Sequence, residues 1–137
     1  MKLIASLLFF LCYFAHASDA QCLSQAIYYE ARGGTQKQQE AVAHSILNRA
    51  KKRSLSVCAT IHQPKQYSWW NKKVPANKHT QEFITLAMKL LEEERKGRRR
   101  DVTKGATHFA TRKTKNKWTR AFKMVYSDRV HSFYKES

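Results

Sequence analysis

Ten Asp and Glu side chains face 26 Lys and Arg in this chain of 137 residues, few enough to ask of each carboxylate what chemistry it could do. Asp19 and Glu136 lie near the ends. Glu92, Glu93 and Glu94 share a polar helix tail with Arg and Lys, where water should solvate them. Glu40 and Glu82 fall in the first turns of predicted helices, where negative charge complements the helix dipole. Asp128 is a turn residue. Glu30 and Asp101 remain. Glu30 follows Tyr28-Tyr29 and precedes Gly33-Gly34, so it ends a helix and can project into a cleft. A helix C-terminus disfavours negative charge and aromatic neighbours would desolvate it. Both effects favour the protonated carboxyl that a general acid needs. Arg32 opposes them weakly, because residues two apart on a helix do not face each other. A surface Glu paired with a nearby Lys is the alternative.

Other chemistries have less support. Beyond the first twenty residues the chain has five His (44, 62, 79, 108 and 131), but no His-Glu-x-x-His and no close ligand pair. Zinc catalysis is therefore not expected, and no metal or organic cofactor is assigned. His131 alternates with Val130 and Ser132, which leaves a structural and a ligand-binding role equally open. Trp118 precedes an apolar strand and is expected to pack in the core.

Around Glu30 the pattern is helical. Cys22 to Arg32 reads as a short helix buried through Leu23, Ala26 and Ile27, with Gly33-Gly34 as its stop. Thr35 with Gln38 forms a capping box for a second helix, whose stripe of Ala41, Val42, Ile46 and Leu47 runs to about Lys52. Residues 53–79 look irregular, with Pro64 and Pro75 as breakers. A third helix is predicted from Thr80 to Lys96, carried by Phe83, Ala87 and Leu91 and stopped by Gly97. The period then changes. Ala106 to Thr111 reads as a strand, and Phe122 to Tyr126 with Arg129 to Tyr134 as a hairpin joined by Ser127-Asp128. The expectation is a single α+β domain, mainly helical, with a small antiparallel sheet.

The net charge is +16, with 42% apolar and 12% aromatic residues. That apolar content excludes a disordered basic tail. Residues 1–20 have the layout of a secretory signal peptide: Lys2, an apolar run from Leu3 to Ala15, and small residues at Ala15 and Ala17. Cleavage is expected after Ala17 or Ala20, leaving residues 21–137 as the working domain. Two cysteines remain after it, Cys22 and Cys58. An even pair in an exported chain points to one disulfide, with two buried thiols as the alternative. The location implied is periplasmic or extracellular. The charge should draw the protein to anionic envelope polymers. Lys and Arg are spread along the chain without a nucleic-acid motif, so nucleic acid is not an expected partner. The run at 95–100 reads as a solvated helix end.

The stretch from Cys22 to Gly33, Cys-Leu-Ser-Gln-Ala-Ile-Tyr-Tyr-Glu-Ala-Arg-Gly, resembles the opening motif of the cell wall hydrolases typified by the spore cortex-lytic enzymes. Further blocks follow in the family's order. They are Gln39, Ala41–Ala43 and Leu47-Asn48-Arg49; then Val57-Cys58 and Gln66-Tyr67-Ser68-Trp69. Asp101, Thr103 and Gly105–Phe109 come next, and Trp118, His131, Phe133 and Tyr134 close the series. Two positions depart: Gly34, where the family often has Glu, and Arg129-Val130, where a Gly often precedes the His. The resemblance implies a lysozyme-like fold with a groove, and cleavage of peptidoglycan glycan strands by a monomer. It assigns catalysis to Glu30, as in a lytic transglycosylase. It also makes Tyr29, Gln66, Ser68 and Trp69 substrate-binding, with Tyr67 and Trp70 as further sugar platforms. Asp101, Thr103, Thr107 and His108 are carried over with them, although for Asp101 a role in holding the loop that presents Thr103 and Thr107 is the preferred reading. Two other readings compete: a hydrolytic muramidase using Glu30 with Asp101, and a cationic antibacterial protein that acts by charge alone.

Overall fold

The computed structural model describes residues 18–64, 66–74 and 78–137. Residues 1–17, which hold most of the expected leader, lie outside it, as does Pro75. Five helices and three strands follow in order: α1 (18–31), α2 (Gln36–Arg53), α3 (Val57–Ile61), α4 (Lys78–Arg95), β1 (His108–Thr111), α5 (Lys117–Ala121), β2 (Lys123–Ser127) and β3 (His131–Lys135). The chain is thus mainly helical with a small antiparallel sheet.

Local sequence explains most boundaries. Thr35 caps α2 through its side chain, and Gln38 reaches back to the Thr35 N–H at 2.8 Å. Ser54 in the left-handed region ends that helix. Gly97 ends α4 at φ +66°, where the N–H groups of Gly97 and Arg98 close on the carbonyls of Glu94 and Glu93. Two short helices were not expected, and one of them interrupts the stretch read as irregular. Ser56 caps α3 inside the 53–79 stretch, and Asn116 with Thr119 forms a capping box for α5. Five residues are too few to show a repeating apolar stripe.

The sheet has the order β1-β3-β2, both pairs antiparallel. His131 pairs with Thr111 and Tyr134 with His108 on one side, and a bulge between Met124 and Tyr126 interrupts the other. The hairpin turn is three residues, Asp128 to Val130, rather than Ser127-Asp128. Asp128 Oδ1 accepts the N–H groups of both Val130 and His131 at 2.8 Å, which shapes the turn without a glycine.

A single apolar core joins these layers. Leu23 and Ile27 of α1, Val42 and Ile46 of α2, Ile61 of α3, Leu90 of α4 and Phe133 of β3 are all fully buried. Cys22 and Cys58 are joined as a disulfide across 5.3 Å between Cα atoms, tying α1 to α3. Closing such a loop is worth about 2–4 kcal/mol. Among the described residues no helix is long and apolar enough to cross a membrane.

Candidate active site

Helix α1 places Glu30 in its last turn, where the residue lines a cleft of about 270 Å³. Tyr29, the segment from Ala31 to Gly34, Gln38, Val130 and His131 form the other walls. The cleft therefore lies between the α1–α2 corner and the start of β3. A Cβ on Gly34 would meet Gln38 Oε1 at 2.6 Å, so the absence of a side chain there lets Gln38 fold over the corner and complete the capping box.

A second layer fixes Glu30 from behind. The indole N–H of Trp69 donates to Glu30 Oε1 at 2.7 Å. Trp69 is 6% exposed and held in turn on both faces. Tyr29 stacks on it at 5.4 Å with 13° between planes, and Tyr67 lies 4.9 Å away. Helix α1 also grips the loop that carries Trp69. Gln25 donates to the carbonyls of Trp70 and Lys72, and the Tyr29 hydroxyl donates to the Lys73 carbonyl at 2.7 Å. Gln25 and Tyr29 are one helical turn apart and so reach the same loop from one face. The buried Arg49 of α2 completes the support, donating to the Thr107 carbonyl, Gln66 Oε1 and the Tyr67 hydroxyl. Burial holds the Tyr67 phenol above its ordinary range against the opposing pull of Arg49, so the hydroxyl keeps its proton at neutral pH.

Asp101 has a different setting. Its Oδ1 accepts the Thr103 N–H at 2.8 Å and the Thr103 hydroxyl at 2.7 Å. Its Oδ2 accepts Asn48 Nδ2 and the Gly105 N–H, each at 2.8 Å. Burial alone would raise its pKa, but these donors from Thr103, Asn48 and Gly105 outweigh it and hold the carboxyl below the usual aspartate range. Asp101 thus closes the loop from 101 to 107 and is not a wall of the Glu30 cleft.

The other expected site residues divide. Tyr29 and Glu30 share the cleft, and Trp69 stands behind them. Thr103 is fully buried in the 101–107 loop, where its hydroxyl also accepts the Ala106 N–H. Thr107 contacts His108 Nδ1 and accepts the Glu136 N–H. His108 packs against Trp118 and Phe122, and its pKa is depressed to about 3 by burial and then by Arg49, Arg53 and Lys52. Gln66 is bound to Arg49, and Ser68 is exposed. None of these five is a cleft wall. Trp70, 48% exposed, presents its indole beside the His62 ring, 5.7 Å between centroids. Trp118 is half-buried on α5, against His108, Phe122 and Tyr134. The sequence did not single out Gln38 and Val130 as cleft walls. The Gly33-Gly34 corner and the pairing of β1 with β3 are the signals that would have found them. Among the described residues no group of three His, Cys, Asp or Glu side chains gathers as a metal site.

The model of the cell wall hydrolase family matches residues 33–134. That span begins just past Glu30 and leaves this residue to be judged by its geometry. Among solved structures the chain is similar to the catalytic domain of the Bacillus cereus SleB protein, at 25% identity and a TM-score of 0.64, covering 85% of this chain and 89% of that one. Among curated proteins none matches it.

Proposed function

The chain belongs to the cell wall hydrolase family, and from that premise we propose that it cleaves peptidoglycan between N-acetylmuramic acid and N-acetylglucosamine as a lytic transglycosylase, with Glu30 as acid and base. The observation that carries the reading is the setting of that one carboxyl. It lines a cleft, one oxygen is anchored by the Trp69 N–H, and among the described residues no other Asp or Glu lines the same walls.

Protonated Glu30 gives its proton to the glycosidic oxygen as the bond to the muramyl anomeric carbon breaks. Positive charge builds on that ring. The ring's own C6 hydroxyl then attacks the anomeric carbon, and ionised Glu30 takes the hydroxyl proton. The product is a 1,6-anhydro sugar, Glu30 ends as it began, and no water is consumed. One carboxyl suffices, unlike the usual pair in glycosidases. The Trp69 N–H contributes twice: it keeps the side chain in one orientation and steadies the carboxylate formed after the first proton transfer. A hydrolytic muramidase would need a second carboxylate across the groove, and Asp101 is committed to its own loop.

The test is purified protein on defined peptidoglycan, with the released muropeptides weighed. Anhydro-muramic ends are expected. Reducing ends that carry oxygen from solvent water would mean hydrolysis. A Glu30→Gln protein that folds and keeps near-full activity would end the assignment. Killing that survives this substitution and collapses with salt would favour the charge-only reading.

Export belongs to the same proposal. The disulfide fits an oxidising compartment. Ala20 is buried in the core and Asp19 Oδ1 accepts the Cys58 N–H at 3.3 Å, so cleavage after Ala17 is the choice that keeps helix α1 intact. A first residue of Ser18 in the exported protein is the expected sequencing result; Gln21 would contradict it.

A further inference from the structure

We infer that His131 is a substrate-contacting residue of the Glu30 cleft, its imidazole hydrogen-bonding to the glycan beside the bond that Glu30 protonates; this rests on the proposed function. Three buried or half-buried histidines can be compared. His108 is satisfied, with Nδ1 against the Thr107 hydroxyl and its ring among Trp118 and Phe122. His44 is buried on α2 with neither nitrogen hydrogen-bonded, but it faces a separate cavity with Glu40, Lys89, Glu93, Arg98 and Arg100. His131 is the one that lines the cleft of Glu30.

The ring is built in firmly. It is 3% exposed, and Phe109 and Phe133 meet it edge-on at 5.3 and 6.0 Å. Its backbone is pinned on three sides. The His131 N–H is accepted by Asp128 Oδ1, its carbonyl accepts the Asp128 N–H, and β1 pairs with it at Thr111. A polar side chain on such a rigid base can position a substrate group closely. Nδ1 is buried without a partner, which native interiors rarely tolerate, whereas Nε2 is not among the buried unpartnered atoms and is the nitrogen that a ligand in the cleft can reach. An apolar residue would suit the aromatic surroundings better if packing were the whole role. Burial lowers the ring's pKa from its ordinary value against the opposing pull of Asp128 and then Glu30, the charged groups that act on it. A neutral ring presents one nitrogen to the cleft as donor or acceptor, as a sugar hydroxyl or acetamide requires.

The test uses Glu30→Gln protein, which should bind without turnover, labelled with ¹⁵N on its imidazoles and indoles and titrated with a tetrasaccharide of alternating N-acetylglucosamine and N-acetylmuramic acid. The His131 nitrogens are expected to move by several ppm in a saturable way while those of His44 stay still. Saccharide binding that moves the Trp70 indole signal but leaves His131 unmoved would overturn the inference. No binding at any signal would overturn it together with the proposed function. Cleavage by the Glu30→Gln protein would remove the proposed function alone, since a His131 shift would still report contact. In the otherwise native enzyme, His131→Ala should lower kcat/KM at least tenfold, with His131→Asn recovering part. Activity within twofold of native in both would contradict a contact.

Discussion

Glu30 and Asp101 are both partly buried carboxyls next to helices and loops, yet their surroundings are opposite in kind. Asp101 accepts four hydrogen bonds and spends both oxygens on its own loop and on Asn48. Glu30 accepts one, from Trp69, and the residue lines a cleft. A carboxyl that must exchange protons with a substrate needs an oxygen free of the protein. A carboxyl that holds a loop needs none. Counting donors therefore separates the two roles more sharply than burial does.

The largest effect that tests this contrast is on catalysis. Glu30→Gln should cost about 10²–10⁴ in rate, the usual worth of a positioned acid/base, with no loss of thermal stability. Asp101→Ala should do the reverse. It strands the N–H groups of Thr103 and Gly105, so a stability loss of about 2–4 kcal/mol is expected by denaturant melts. Activity per folded molecule should stay within a few-fold at low temperature. If Asp101→Ala abolished activity while leaving the fold intact, the two carboxyls would be partners and the contrast would fail.

The pH dependence gives the comparison a second handle. The Asp101 carboxyl is held below the ordinary aspartate value of 3.8 in the folded protein. Its contribution is complete above that value and is lost as pH falls through the lowered one, where the folded form must take up the proton. Acid unfolding should therefore be less steep in Asp101→Ala than in the native protein. A native-like acid limb in the variant would move the acid sensitivity elsewhere.

How much of this was legible beforehand differs between the two regions. The corner around Glu30 announces itself locally: Tyr28-Tyr29, the Gly pair and the Thr35–Gln38 capping box are consecutive, and the structure keeps each in its expected place. The loop from 101 to 107 does not, because Asn48 and Arg49, which complete it, come from α2, more than fifty residues earlier. A separation of 39 residues likewise hid the bond from Trp69 to Glu30. Read as a sugar platform, Trp69 is buried between Tyr29 and Tyr67, and Trp70 is the exposed indole. Short elements such as α3 and α5 were missed because their caps, Ser56 and Asn116, carry the signal rather than any repeat.

Trp69→Phe gives a smaller effect that sharpens the comparison. Phenylalanine keeps the stacked layer between Tyr29 and Tyr67 but removes the one donor on Glu30. A loss on the order of tenfold in kcat is expected, about 1.4 kcal/mol, with a small change in melting temperature. If the effect fell wholly on stability, Trp69 would be a packing residue and Glu30 would need another anchor.

The smallest effect comes from a third carboxyl that resembles Asp101 in its donors and neither site in its exposure. Glu92 accepts two bonds from Arg95, at 3.0 and 2.7 Å, and lies 3.2 Å from Lys96; these partners, Arg95 first, lower its pKa to about 2. By linkage alone that shift would imply stability. The side chain is 41% exposed, however, so water and salt screen the pair, and ordering the long Arg and Lys side chains offsets what remains. Glu92→Gln should leave both the melting temperature and the activity unchanged within measurement, at low and high salt alike. A clear loss would mean that the number of donors matters without burial. The contrast between Glu30 and Asp101 would then have to be drawn from donor count alone.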